Sequence, residues 1–331
     1  MNRQLKQVLA AMVLGLILPS LMLNFGISGQ AKQKPEPTLA LPTQPTEPQQ
    51  TQMVPQQAVY IPVQMGNGKV KVMELEEYIL GVVLAEMPAS FEAEALKAQA
   101  VVARTYTLRR MKLQDKHSDA IICTNSACCQ AYVSKDAYLD SSGGRADAAK
   151  VSKAVRDTAG QVLTYKGQLA EATYFSCSGG RTEDAAAVWG AEVAYLQAVD
   201  SPGEESAKNH LDSVHFTKKE FCNALGRTLD GSPDSWFGKV TYTDGGGVDM
   251  MFIGGISYSG TKLRQLLGLK STAFDMKVEN GGITVATRGY GHRVGMSQYG
   301  ADAMAVAGSS FREILFHYYP GTEIDKVEDI E

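Results

Sequence analysis

Along residues 75–86 the apolar positions Leu75, Tyr78, Ile79, Val82 and Val83 recur at i, i+3, i+4, i+7 and i+8. That is the spacing of a helix with one buried stripe. Glu86 continues the stripe four residues after Val82, at a position where an aliphatic side chain is the norm. The pattern predicts a carboxylate drawn partly out of water, its pKa raised toward what a proton donor needs near neutral pH. Pro88 closes this helix, because residues before proline avoid the α region. Ser90 reads as the N-cap of a second helix from Phe91 to about Lys112, on which Lys97, Val101 and Arg104 share a face. The plain alternative makes Glu86 a helix-terminal surface carboxylate, and Lys97 and Arg104 a solvated face.

Val59 to Val63 and Lys69 to Val72 flank Gly66-Asn67-Gly68 and read as a hairpin. Strand patterns follow at 161–165, 172–175, 238–243 and 282–287, and helical ones near 217–225, 260–267 and 297–307. Strands and helices do not alternate regularly, so the predicted class is α+β. Val8 to Ile27 is mostly apolar and residues 7–31 carry no charge, a length that spans a bilayer core. Arg3 and Lys6 precede it and favour a cytoplasmic N-terminus with the remainder outside. An uncleaved anchor over residues 1–30 is preferred to a signal peptide, whose apolar stretch runs to about 7–15 residues. From Lys32 to Gln57 the chain is dense in Pro, Gln and Thr, so residues 31–57 are expected to be a flexible tether and 58–331 the folded domain.

With 331 residues and 44% hydrophobic content the chain can bury a full core, and its net charge of −4 argues against a nucleic-acid binder. Of five cysteines, Cys123, Cys128 and Cys129 cluster with His117, while Cys177 and Cys222 stand alone. His117-x5-Cys123-x5-Cys129 supplies three ligands for a tetrahedral Zn²⁺, with Cys128 as the alternative to Cys129. Disulfides joining Cys123 to Cys128 or Cys129, or Cys177 to Cys222, are the competing use. The glycines at 289, 291, 295 and 300 form no phosphate-binding fingerprint, and no H-E-x-x-H accompanies the cysteines.

Four stretches, taken together, carry a family resemblance. They are Ala85-Glu86-Met87-Pro88, the run from Lys97 to Tyr106, the loop from Ser176 to Gly190, and Gly-Tyr-Gly-His-Arg-Val-Gly-Met-Ser-Gln-Tyr-Gly-Ala at 289–301. In this order they resemble the stage II sporulation protein D family over nearly everything after residue 60. The resemblance implies a membrane-anchored lytic transglycosylase of the bacterial cell wall, with two lobes around a glycan cleft. Such an enzyme cuts the β-1,4 bond between N-acetylmuramic acid and N-acetylglucosamine without water, leaving a 1,6-anhydro sugar. Glu86 matches the family's catalytic glutamate, and one carboxyl suffices where hydrolases use two.

Lys97 and Arg104 match cationic residues the family places in its cleft, where they would bind substrate and favour ionised Glu86. Burial and nearby cations oppose each other, so the sequence does not sign the shift. His292, Ser297 and Gln298 lie in one signature loop and Ser178 and Thr182 in the other, with Tyr195 thirteen residues after Thr182. All six are expected to bind glycan, although Tyr195 also reads as an ordinary core tyrosine. Arg293 stands where many relatives have glycine, which would add bulk and charge near the site. The His/Cys/Cys spacing is similar to a zinc site of clostridial family members, for which a structural or positioning role is preferred. The resemblance further implies engulfment during sporulation, stem-peptide-free glycan strands as substrate, a wall amidase of the stage II sporulation P type and a membrane scaffold of the M type. A relative of different character, the non-catalytic amidase enhancer, supplies the second reading.

Overall fold

The computed structural model describes residues 58–141 and 144–329, all within the compact unit Gln56–Glu331. The expected anchor and tether lie outside the described residues. Among the described residues no helix is long and apolar enough to cross a membrane.

Helix α1 spans Leu75–Glu86 and buries the stripe predicted for it, from Leu75 through Val83. The Glu74 carboxylate caps it by accepting from Glu77 N at 2.7 Å, and Glu76 and Glu77 complement the positive end of the dipole. Met87 leaves it in an extended conformation before Pro88. The second helix, α2, spans Ala93–Leu113, so its start differs from the expectation. Residues 88–91 instead close a turn, Phe91 N donating to Pro88 O at 3.0 Å, and Glu92 takes the N-cap place that Ser90 was expected to fill.

Helix α2 is buried on nearly every side, from Ala95 to Leu108. The short helix α3 (Lys135–Ser141) buries no residue fully and meets the core around α2 through Tyr138, while the alanines of α2 let α1, the strand Gln161–Tyr165 and helix α4 (Arg145–Asp157) gather closely. After the short helix α5 (Ala185–Trp189) the chain builds a second apolar cluster. It forms between helices α6 (Lys218–Leu225) and α7 (Gly260–Leu267) and two three-stranded sheets. One sheet has Gly282–Arg288 at its centre, antiparallel to Ala273–Glu279 and Leu211–Thr217. The other joins Phe237–Tyr242, Val248–Ile253 and Ile256–Ser259. The chain then returns to the first core through α8 (Gln298–Val306) and α9 (Phe311–Tyr318). The protein is therefore a mixed α+β fold.

The two signature loops pack against each other. Met296–Ser297 pairs in parallel with Tyr174–Phe175, and Cys177 bridges Tyr290. Gly291, at φ +121°, makes this approach possible, since a Cβ there would stand 2.7 Å from the Phe175 Cβ.

Candidate active site

A cavity of about 1180 Å³ opens where α1 ends, with Glu86, Tyr174, Trp189, Arg264, His292 and Gln298 among its walls. Glu86 is partly buried at the last position of α1, at the negative end of the helix dipole, with no basic residue in that turn. Burial raises its pKa, and this outweighs the Ala131 N–H, Gln298 and Tyr174, which favour the ionised form. Neither Lys97 nor Arg104 takes part, so the shift left unsigned by the sequence is upward.

The backbone hydrogen bond is specific: Ala131 N donates to Glu86 Oε1 at 2.6 Å. It depends on Gly81, one and a half turns back, whose added Cβ would lie 2.2 Å from the Tyr132 ring and 2.7 Å from Val133 O. Val133 N donates to Gly81 O at 3.1 Å, tying the 130–133 segment to α1. Beside it, Gln130 is buried, donating to Thr107 Oγ1 at 3.0 Å and accepting from the Tyr174 hydroxyl at 3.1 Å. Gln298 is 6% exposed, its amide beside Glu86, where it favours the ionised carboxylate. His292 accepts from Val294 N at Nδ1 and packs edge-on against Phe175. Burial, with Arg264 nearby, pushes its pKa down to about 4, so the ring is neutral at physiological pH.

Among the described residues one other carboxylate lines the cavity, Glu171. It is held by Arg109 Nε at 2.6 Å and by Arg110 Nη2. Of the residues expected in the site, Glu86, His292 and Gln298 come together, and six others do not line it.

Arg104 is fully buried on the far side of α2, its Nε and Nη2 donating to Glu76 at 2.7 and 2.6 Å and its Nη1 to Gln161 O at 3.0 Å. Lys97 pairs with Glu94 at 2.7 Å and lies 3.8 Å from Asp157. Ser178 donates to the buried Glu204, which also accepts from Ser178 N and Gly179 N. Thr182 is tied to Val199 N at 2.8 Å. The Tyr195 hydroxyl accepts from Glu171 N at 2.6 Å, a neighbour of the site rather than Glu86. Ser297 is the N-cap of α8, accepting from Gly300 N. Arg293, at φ +66°, turns its guanidinium away into a buried network with Glu183, Ser178 O and Gly245 O.

The cysteine cluster adjoins the cavity. Cys128 and Cys129 sit on a turn in which both backbone N–H groups donate to Asn125 O. His117 Nε2 lies 3.4 Å from Cys129 Sγ and 3.7 Å from Cys128 Sγ, and the two sulfurs are 3.8 Å apart. With Cys123 at the end of the strand Ile122–Cys123, all four donor atoms lie within 4.8 Å of one another. A tetrahedral Zn²⁺ bound by thiolates and imidazole separates its donors by about 3.6–3.8 Å, so the group fits such an ion. Cys128 joins Cys129 in this group instead of replacing it. All five cysteines are unpaired, so none of the disulfides weighed as the competing use is present.

The family profile described as Stage II sporulation protein matches residues 64–165. Stage II sporulation protein D of Bacillus subtilis is 42% identical over 277 residues, covering 82% of this chain and 80% of its own length. Its counterpart in Bacillus amyloliquefaciens is 38% identical over 276 residues, with the same coverage of both chains, 82% and 80%. The Amidase enhancer of Bacillus subtilis is 32% identical over 297 residues, covering 74% of this chain and 40% of its own length.

Proposed function

The chain belongs to the stage II sporulation protein D family of sporulation proteins, and on that footing we propose that it is a lytic transglycosylase acting on peptidoglycan glycan strands. The observation that carries the reading is Glu86, a cavity carboxyl with a raised pKa and no ion pair, while among the described residues the one other carboxylate of the cavity, Glu171, is held by two arginines. Two-carboxylate hydrolysis needs an acid and a separate base or nucleophile, and Glu171 is occupied by two arginines. A transglycosylase uses one group twice. Protonated Glu86 gives its proton to the oxygen between muramic acid and glucosamine, and that C–O bond breaks. The resulting carboxylate takes the proton of the muramic C6 hydroxyl as its oxygen closes on the anomeric carbon. Glu86 ends protonated and no water is consumed.

The raised pKa serves the first step, and the Ala131 N–H steadies the carboxylate that forms. The Gln298 amide is a donor for a sugar acetamido or hydroxyl group. The two apolar clusters would act as lobes, with the strand lying across the cavity between Glu86 and Arg264.

Zn²⁺ held by His117, Cys123, Cys128 and Cys129 would fasten the turn that leads to Gln130 and Ala131. Four protein donors close the tetrahedron, which suits a structural ion rather than one that activates water. In this reading residues 1–30 anchor the protein in the membrane with the domain outside, where a wall amidase prepares its substrate and a membrane scaffold holds both.

The likeness to an amidase enhancer favours one second reading, a glycan-binding activator without chemistry of its own. The test is release of soluble fragments from stem-free glycan strands by the wild type and Glu86→Gln. Release by the wild type alone supports the enzyme; strand binding with no release by either supports the activator.

A further inference from the structure

One cation in the cavity has no place in the chemistry above. Arg264, in the middle of α7, lines the wall with Trp189, Tyr290 and His292. Its Nε reaches Leu269 O at 3.4 Å, and among the described residues its Nη groups have neither a hydrogen-bond partner nor a carboxylate within ion-pair distance. The other cations of the cavity are engaged: Arg110 with Glu171 and Asp115, Lys116 with the Tyr106 hydroxyl and Cys128 O. A guanidinium half removed from water without a counter-ion is unfavourable unless a ligand supplies the anion. His292 beside it is neutral, and both carboxylates of the cavity have other partners, Ala131 N for Glu86 and two arginines for Glu171.

Two aromatic rings stand at the same place. Trp189 is 44% exposed and Tyr290 39%. Trp189 leans on His292 at 5.6 Å, and the Lys270 ammonium lies 5.1 Å from the centre of the Tyr290 ring. Exposed rings of this kind offer flat apolar faces that match the C–H face of a pyranose.

We propose that Arg264, Trp189 and Tyr290 form a sugar subsite that reads a carboxylate, the free lactyl group of a muramic residue whose peptide has been removed. The proposal rests on the glycan reading of the cavity and assigns to Arg264 the recognition of the stem-free strands that the resemblance implies. In an intact strand the lactyl group is an amide and carries no charge, so an arginine there selects stripped strands. Carboxylates along a stem peptide are the other source of the same chemistry.

The test is binding by the full-length protein carrying Glu86→Gln, so that nothing is turned over. The ligands are stripped strands, stripped strands with methyl-esterified lactyl groups, and strands with intact stems. Stripped strands should bind at least tenfold more tightly than esterified ones, about 1.4 kcal/mol. Arg264→Gln should erase that margin while leaving affinity for esterified strands unchanged, and Arg264→Lys should keep part of it. Thermal unfolding of each variant establishes that it is folded. A margin that survives Arg264→Gln, or equal weakening for all strands, would overturn the subsite. Stem-bearing strands held as tightly as stripped ones through Arg264 would overturn the lactyl assignment. Cleavage by protein with Glu86 intact is scored separately, so failure of the subsite and failure of the enzyme reading are distinguished.

Discussion

Replacing Gly81 by Ala tests whether the 130–133 segment controls the acid. In an exposed helix interior the change would add about 1 kcal/mol of stability. Here the new Cβ meets the Tyr132 ring at 2.2 Å and Val133 O at 2.7 Å. The ring can swing, at the cost of its stack on Tyr78 at 5.6 Å, but the carbonyl belongs to backbone that is itself bonded to Gly81. Overpacking of this kind costs about 1–3 kcal/mol, so the net effect is a loss of up to about 2 kcal/mol. The segment must also move outward, lengthening the 2.6 Å bond from Ala131 N to Glu86. A hydrogen bond to a charged group contributes about 1.5–3 kcal/mol, so its loss raises the Glu86 pKa further. Urea denaturation measures the first effect, and carbon-13 NMR titration of the glutamate carboxyls the second. A variant more stable than wild type, with Glu86 titrating unchanged, would refute the reasoning.

Arg104→Lys should lower stability by about 2–4 kcal/mol, because lysine cannot reproduce the two-pronged contact with Glu76 from a fully buried position. Thermal denaturation checks this, and an unchanged midpoint with weakened glycan binding would restore Arg104 to the cleft. Cys128→Ser and Cys123→Ser should each lower the zinc content of the purified protein and its unfolding temperature. Full metal content in Cys128→Ser would reduce the ligand set to three. His292 has a folded pKa of about 4 against an ordinary 6.5. The stability linked to it is complete above pH 6.5 and is lost as pH falls from there through 4, at most about 3 kcal/mol. His292→Gln should therefore flatten the acid limb of stability measured by urea between pH 7 and 4, and an unaltered slope would count against a neutral buried ring.

The helical period placed Glu86 on a buried stripe, and the structure puts it there with a raised pKa. The hairpin is present, Tyr60–Gln64 pairing antiparallel with Val70–Glu74, and helices α6, α7 and α8 were equally readable, since Thr217, Ser259 and Ser297 cap them in the ordinary way. On α2 it was the family resemblance, not the periodicity, that put Lys97 and Arg104 in a cleft. Periodicity showed that Lys97 and Arg104 share a face, but that helix is enclosed by neighbours and the face meets Glu76, Glu94 and Asp157 instead of a cleft. The donor to Glu86 was invisible for a different reason: it is a backbone N–H, independent of the side chain at 131. The strand Leu211–Thr217 was missed because its sequence, LDSVHFT, has an interrupted apolar alternation. The polar residues of the signature loops looked like ligand contacts, yet Ser178, Thr182 and Ser297 satisfy backbone and Glu204 in the turns that shape the cavity. Arg264 and Trp189 carried no local pattern, since only tertiary packing brings them to Glu86's cavity.

In the proposed reaction Glu86 breaks the glycan without water. Mass spectrometry of products formed from stem-free strands in ¹⁸O-labelled water decides this. Muramic ends should be lighter than hydrolysed ones by one water, free of ¹⁸O and absent with Glu86→Gln. Reducing ends carrying ¹⁸O would contradict that reaction.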